Sequence, residues 1–272
     1  MLPARGSPQP PRSATFGCVP HTGEIVRVFE IDPDLGEALD PEHEQEARAI
    51  AVAQLDLLER GEWQGDEDYP SAAGHLGLLL IDGLLVRSVD VGNRTCAELL
   101  GPGDFLRPWV KVAPHSSVPL EARWTVVDET HVAVLDRRFA IAVARFPEVA
   151  GTILDRVMMR SRWLAFHLAV THLKRIESRL LVVLWHFADR WGKVGPAGVT
   201  VPLRVTHEVL AGVVGAQRPS VTTALGNLRR DGLIERRPDG SWLLHGEPPA
   251  EMAPVESRAN GKPFREAAVS AD

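Results

Sequence analysis

The sequence predicts an α+β fold: an N-terminal β jelly roll, one long helix, and a small C-terminal unit of helices with a two-stranded ribbon. Three observations carry that prediction. Between His75 and Leu135 the apolar runs are short, rich in Val and Leu, and punctuated by Asp82-Gly83, Gly92-Asn93 and Gly101-Pro102-Gly103, the pattern of strands joined by tight turns. From Glu148 to about Arg175 no proline interrupts a helical period that begins behind Phe146-Pro147. After Thr206, two short helical stretches flank a glycine corner.

With 272 residues, 44% hydrophobic and 24% charged, the composition excludes a disordered or membrane-embedded chain and suggests two domains. Two cysteines, Cys18 and Cys96, exclude a disulfide scaffold, a four-cysteine zinc site and a four-thiolate cluster, and fit a reducing cytoplasm. No apolar run approaches the roughly 20 residues of a membrane helix; the densest, Leu180 to Ala188, is interrupted by His186. Residues 1–20 are rich in proline without the apolar core of a signal peptide, and they and residues 247–272 are expected to be flexible tails. The expected location is cytoplasmic, with no membrane partner.

Net charge is −6 but is segregated: Glu30 to Asp68 holds fourteen acids against Arg48 and Arg60, whereas Ile176 to His245 holds nine bases against six acids. Ordinary solvated faces explain such a split as well as a polyanion site does. In the acidic part, Ala47, Ile50, Ala51, Leu55 and Leu58 recur at helical steps, so Pro41 to Leu58 reads as one helix. His75 to Ile81 and Leu84 to Val89 read as a hairpin across Asp82-Gly83, and Ala122 to Val127 with His131 to Leu135 as another. A set of such strands closes best as a small barrel or jelly roll. The expected units are then 21–146 (jelly roll with a helical, acidic N-terminal part), 147–176 (long helix) and 177–246.

On the long helix, Leu154, Val157, Ser161, Leu164, Leu168 and Thr171 follow a three-four alternation close to a heptad seam. Such a stripe is buried in its own core or on a second copy, and the helix length favours a homodimer. A helix from Glu177 to Trp191 and a Gly/Pro-containing link to Pro202 lead into the two short helices. There Thr206 can cap the first, Gly215 can take the positive φ of a sharp corner, and Pro219 falls in the first turn of the second. Val209, Leu210, Val213, Val221, Leu225 and Leu228 point inward. Gly232 to Arg237 and Ser241 to Leu244 flank Pro238-Asp239-Gly240 as a two-stranded wing.

In a winged helix-turn-helix the second helix enters the major groove, so its exposed N-terminal residues should read base edges. Gln217, Arg218, Ser220, Thr222 and Thr223 are all hydrogen-bonding types. Arg218 suits guanine O6 and N7, a bidentate pair contributing about 1–3 kcal/mol of discrimination. Thr206, Arg229, Arg230, Arg236 and Arg237 are candidates for phosphate contacts that weaken with salt. The alternative is a helical hairpin used for protein contact.

On these motifs, residues 75 to 244 resemble the Crp/Fnr superfamily of bacterial transcription regulators. Thr206 and Val213-Val214-Gly215-Ala216-Gln217-Arg218-Pro219-Ser220-Val221 reproduce its DNA-binding pattern, and Leu100-Gly101-Pro102-Gly103-Asp104-Phe105 with Thr130 to Asp136 matches its jelly roll. The resemblance implies a cyclic-nucleotide-binding-like jelly roll, a dimerisation helix, a two-fold DNA operator, RNA polymerase as a further partner, and a guanine contact by Arg218. Pro219 and Thr223 stand where well-known members carry charged reading residues, so their operator is not assumed.

The resemblance also implies a Gly-Glu pair and an Arg-Ser/Thr pair holding a cyclic nucleotide, but Arg107-Pro108 and Leu120-Glu121 occupy those positions. Pro108 and Leu120 cannot hold a ribose hydroxyl or a cyclic phosphate, so no cofactor is expected, and neither cyclic AMP nor cyclic GMP; any small-molecule or protein effector is unspecified. Cys96, His75, His115 and His131 lie in the jelly roll without the spacing of a metal or haem motif, and Trp63, Trp109 and Trp124 fit core packing or an apolar pocket. No phosphate loop, nucleophile elbow or His-Glu-x-x-His helix is present, so an enzyme is not expected. The reading is a homodimeric DNA-binding regulator with a degenerate nucleotide site. Alternatives are a constitutive regulator without an effector and a protein-interaction scaffold.

Overall fold

The computed structural model describes residues 21–65, 69, 74–92, 94–109, 122–249 and 252. The sequence readings at residues 1–20, 66–68, 115, 120, 121 and most of 247–272 lie outside them. The N-terminal part runs β1 (His21–Arg27), α1 (Val28–Ile31), α2 (Pro41–Ile50), β2 (Val52–Leu58), β3 (Gly61–Trp63), β4 (Gly77–Leu80), β5 (Leu84–Val91), β6 (Arg94–Leu100), β7 (Phe105–Leu106), β8 (Ala122–Asp128) and β9 (Thr130–Leu135). These strands form two antiparallel sheets, ordered β1-β2-β9-β4-β7 and β3-β8-β5-β6.

Alternation along each strand decides which layer it serves. Leu78, Leu80 and Val132 of one sheet meet Leu85, Leu100 and Val126 of the other, with Trp63, Tyr69 and Trp109 filling the space between them. The opposite face of the first sheet, through Leu79, Ala133 and Leu135, packs on Val28, Phe29, Ala47, Phe139 and Phe146 of the surrounding helices. Val86, Ala97 and Leu99 on the other face of the second sheet join one continuous core with the C-terminal helices.

Two features differ from the sequence reading. The helix predicted over Pro41–Leu58 stops at Ile50, where Ala51 leaves helical geometry, and Val52–Leu58 is a strand between β1 and β9. The five apolar residues there, Val52, Ala53, Leu55, Leu57 and Leu58, satisfy either period, and two partner strands decide for the sheet. The two predicted hairpins are instead crossovers, because β4 and β9 belong to one sheet while β5 and β8 belong to the other. Their corners interlock: a Cβ on Gly83 (φ 77°) would lie 2.2 Å from Thr130 Oγ1, Leu84 N–H donates to that hydroxyl at 3.1 Å, and His131 N–H donates to Asp82 at 2.8 Å. Only a residue without a side chain fits that crossing.

After α3 (Arg137–Val143), the long helix α4 (Pro147–Thr171) extends 25 residues, about 37 Å at 1.5 Å per residue, and ends before the predicted limit near Arg175. α5 (Ile176–Trp191) follows. The predicted link to Pro202 holds β10 (Lys193–Gly195) and β11 (Gly198–Val201), which extend the wing to a four-stranded sheet rather than two strands. α6 (His207–Val214), α7 (Arg218–Arg230), β12 (Ile234–Arg236) and β13 (Trp242–Leu244) complete the chain.

Buried charges tie these parts together. Arg160 on α4 donates to both oxygens of Glu98 on β6 at 2.8 and 2.9 Å and to the Phe105 carbonyl at 3.1 Å, while Arg87 reaches the same carboxylate at 2.8 Å. Arg156 chelates Asp32, and Arg190 on α5 meets both oxygens of Asp104 at 2.8 and 2.7 Å. Burial pushes the Glu98 carboxyl up, but the hydrogen bonds and charge of Arg160 and the charge of Arg87 outweigh it and hold the group below the ordinary carboxylate range. Nearby, His186 packs among Trp163, Phe166 and His167 with its Nε2 buried and unbonded among the described residues. Burial, His167 and Arg190 lower its pKa to about 3.

Glu98→Gln leaves two buried guanidinium groups without their counter-charge, and urea unfolding at pH 7 should show a loss of about 3 kcal/mol. The Glu98 contribution is complete above its ordinary pKa and disappears as pH falls through the lowered folded value. Because protonated His186 is favoured only in the unfolded chain, stability should also decline as pH drops from 6.5 towards about 3. His186→Leu should flatten that slope in a series of urea midpoints against pH.

Candidate nucleic-acid interface

Local chemistry explains the corner between α6 and α7. Thr206 accepts a hydrogen bond from the Val209 N–H at 3.2 Å, satisfying one of the free amides at the start of α6. Gly215 ends that helix at φ 63° and ψ 41°, and the Ala216 N–H returns to the Ala211 carbonyl at 3.0 Å. Gln217 then caps α7 with extended backbone and Pro219 sits in its first turn. Leu210, Val213, Val221, Leu225 and Leu228 are buried and Val209 is half-buried, which turns the other face of α7 outward.

On that outward face Gln217, Arg218, Thr222 and Thr223 are exposed and Ser220 is half-buried. Thr222 and Thr223 each donate back to the carbonyl four residues earlier, at 3.1 and 3.2 Å, so both hydroxyls are held in place. His207, at the start of α6, lies 2.9 Å from the Thr222 hydroxyl through Nδ1. Arg179 holds the corner from behind, donating to the Leu173 carbonyl at 2.7 Å and the Val214 carbonyl at 3.2 Å.

The predicted phosphate-contacting arginines divide by location. Arg229 and Arg230 are exposed in the last turn of α7, about 17 Å along the axis from Arg218, so they do not join the reading turn. Arg236 donates to the Val205 carbonyl at 3.1 Å and lies 4.3 Å from the Trp242 ring centroid, which fixes it beside Thr206 and His207. Arg237 is half-buried in the wing, whose tip is closed by Ser241 donating to Asp239 at 2.7 Å.

The seam on α4 is uncovered. Leu154 is 59% exposed, Val157 48%, Leu164 39% and Leu168 64%, and Ser161 is exposed with Thr171 half-buried. Four large apolar residues open to solvent along one stripe constitute a patch that monomers rarely leave bare. At the other predicted site, Pro108 is buried, and a Cβ on Gly65 would come within 2.6 Å of it. Arg107 points to the His75 carbonyl and the Trp109 ring.

Two contributors escaped the sequence reading. Gly212 lies in mid-helix, a costly place for glycine, because a Cβ there would meet the Ala97 Cβ at 2.7 Å as α6 docks on β6. That cost was the available signal. His207 has no such signal, since only the turn brings it beside Thr222. Between the β5–β6 hairpin, the end of α4 and the α6–α7 corner lies a cleft of about 1000 Å³ lined by Arg94, Cys96, His167, Gln217 and Arg218 among others.

Residues 178–245 match the family described as the Crp-like helix-turn-helix domain. The regulatory protein CysR of Synechococcus elongatus is 27% identical over an alignment covering 62% of this chain and 78% of the relative. The family match falls on the helix-turn-helix part of the chain, residues 178–245. Solved structures of a CooA variant from Carboxydothermus hydrogenoformans and of FixK2 from Bradyrhizobium japonicum both superpose with a TM-score of 0.54, at 18% and 17% identity. They cover 71% and 72% of this chain and 83% and 93% of their own, and show the fold. A Crp-like helix-turn-helix domain accounts for the α6–α7 corner. Among the described residues no helix is long and apolar enough to cross a membrane, and no cluster of three or more His, Cys, Asp or Glu is arranged to hold a metal.

In this helix-turn-helix corner, Gly215→Val should destabilise the chain by about 2 kcal/mol, because a β-branched residue pays the left-handed penalty and crowds Thr171 Cγ2, 3.2 Å from the Cβ position. Gly215→Asn should cost far less, and paired thermal denaturation curves check the ranking.

Proposed function

We propose that the protein binds a two-fold DNA operator as a homodimer, with the N-terminal turn of α7 from each copy in a major groove. The observation that carries this is the outward face of that turn: Gln217, Arg218, Thr222 and Thr223 exposed on a rigid corner. Arg218 binds a guanine edge in this reading, Thr206 and Arg236 contact phosphate, and Arg237 contributes through the wing. Arg229 and Arg230 act only where the duplex curves towards the far end of α7. The open stripe Leu154, Val157, Ser161, Leu164, Leu168 and Thr171 pairs with its copy, which sets the two reading turns about 34 Å apart. RNA polymerase is the partner through which such a regulator acts on transcription, in a cytoplasmic setting.

The nucleotide site is degenerate in this proposal, and the residues do not fit cyclic AMP or cyclic GMP. A buried Pro108 offers no carboxylate to a ribose, and Trp63, Tyr69 and Trp109 fill the interior between the sheets. A signal of other chemistry, or a protein partner, would act by changing how α4 carries the two reading turns.

Selection of bound DNA from a random pool tests symmetry and base readout together, and a palindromic site is expected. Arg218→Ala should lose about tenfold or more in affinity for that site, with little change on random duplex. The double variant Leu164→Lys, Leu168→Lys should sediment as a monomer and lose the palindrome. Non-palindromic recovery, or binding unmoved by Arg218→Ala, would overturn the proposal.

A further inference from the structure

The sequence reading placed five residues on the outward face of α7 and none on α6. The structure brings a sixth polar group there from the first residue of α6. His207 Nδ1 lies 2.9 Å from Thr222 Oγ1, and Thr222 in turn donates to the Arg218 carbonyl at 3.1 Å. A hydroxyl has one proton to give. With that proton on the Arg218 carbonyl, the imidazole must donate from Nδ1, which fixes the tautomer and leaves a lone pair on Nε2. Among the described residues Nε2 has no hydrogen bond, and the ring is half-buried at the mouth of the corner.

We propose that His207 is a positioning residue of the reading face: it orients Thr222 through Nδ1 and offers Nε2 to the duplex as an acceptor when neutral and a donor when protonated. This rests on the DNA-binding reading above. It names the residue that makes base choice at Thr222, and affinity, depend on pH.

The charges around the ring set the direction. Arg218 faces it from α7 and Arg236 from β12, Glu208 follows it on α6, and the free amides of the first helical turn also disfavour a cation. Burial, then Arg236 and Arg218, hold its pKa below the ordinary histidine value in the free protein. Phosphates brought close by a bound duplex oppose both arginines and favour the protonated ring. Binding then takes up a proton, so affinity rises as pH falls through the bound-state pKa and levels off below the free-state value. Each unit of difference between those two values allows at most about a tenfold gain.

The test is fluorescence anisotropy with the selected operator and a one-base-changed set, from pH 8 to pH 6, on the full chain. Wild type should bind about three- to tenfold tighter at pH 6 than at pH 8. His207→Gln keeps a polar group beside Thr222 but cannot titrate, so its affinity at pH 6 should not rise above its own value at pH 8. His207→Ala and Thr222→Val should share one altered pattern of base preference, at the same positions of each half-site. A full wild-type pH response in His207→Gln, or unchanged base preferences in His207→Ala, would overturn the assignment while leaving DNA binding intact. If wild type itself shows no specific site at pH 8, the underlying DNA reading fails instead, and the assignment with it.

Discussion

Three arginines on the two central helices hold the remaining parts of the molecule in register: Arg156 on Asp32, Arg160 on Glu98 and Arg190 on Asp104. Each pair joins a helix to the jelly roll, and each is largely out of water. Buried ion pairs contribute little net free energy compared with apolar contacts, but a broken one leaves a charge that nothing solvates. The pairs therefore act chiefly on geometry. Asp104 also accepts the Gly101 N–H at 2.9 Å, so the Gly-Pro-Gly-Asp-Phe turn is shaped by the same carboxylate that receives α5. A Cβ on Gly101 would come within 2.9 Å of Trp191, which brings the end of α5 onto that turn without spare room.

Apolar packing extends the same constraint to the DNA-binding unit. Leu84, Val86, Ala97 and Leu99 share one core with Leu180, Leu184, Leu210 and Val213. The docking of Gly212 on Ala97 permits the approach of α6 to β6. With the jelly roll, α4 and the helix-turn-helix joined through ion pairs on one side and an apolar core on the other, any signal that reorients the reading turn must work against both. Among the described residues, the polar turn of α7 and the apolar seam of α4 stand outside these contacts. Arg179 links them, since it bonds the end of the α4–α5 connection and the α6–α7 corner at once.

Much of the candidate site was legible because it is local. Thr206 as a cap, Gly215 as a left-handed corner, Pro219 in a first turn and the inward set of Leu210, Val213, Val221, Leu225 and Leu228 depend on residues within a few positions of each other. The start of the long helix at Pro147 and the wing turn at Asp239-Gly240 are of the same kind. The sequence could not separate Arg236, fixed by Trp242 and the Val205 carbonyl, from Arg229 and Arg230 at the far end of α7, since all are arginines near one motif.

Sequence by itself determined where the chain turns, which helices begin with a cap or a proline, and which side of each helix is apolar, because these follow from backbone preferences and short-range periodicity. Tertiary structure decided the rest. Val52–Leu58 became a strand only because β1 and β9 lie on either side of it. The apparent hairpins at Asp82-Gly83 and Asp128-Glu129 became crossovers because their corners pack on each other, 46 residues apart through Leu84 and Thr130. His207 met Thr222, and Arg160 met Glu98 across 62 residues, for the same reason. Pairing between distant segments is settled by the total surface and charge each can bury, a sum over the whole chain that no local pattern contains.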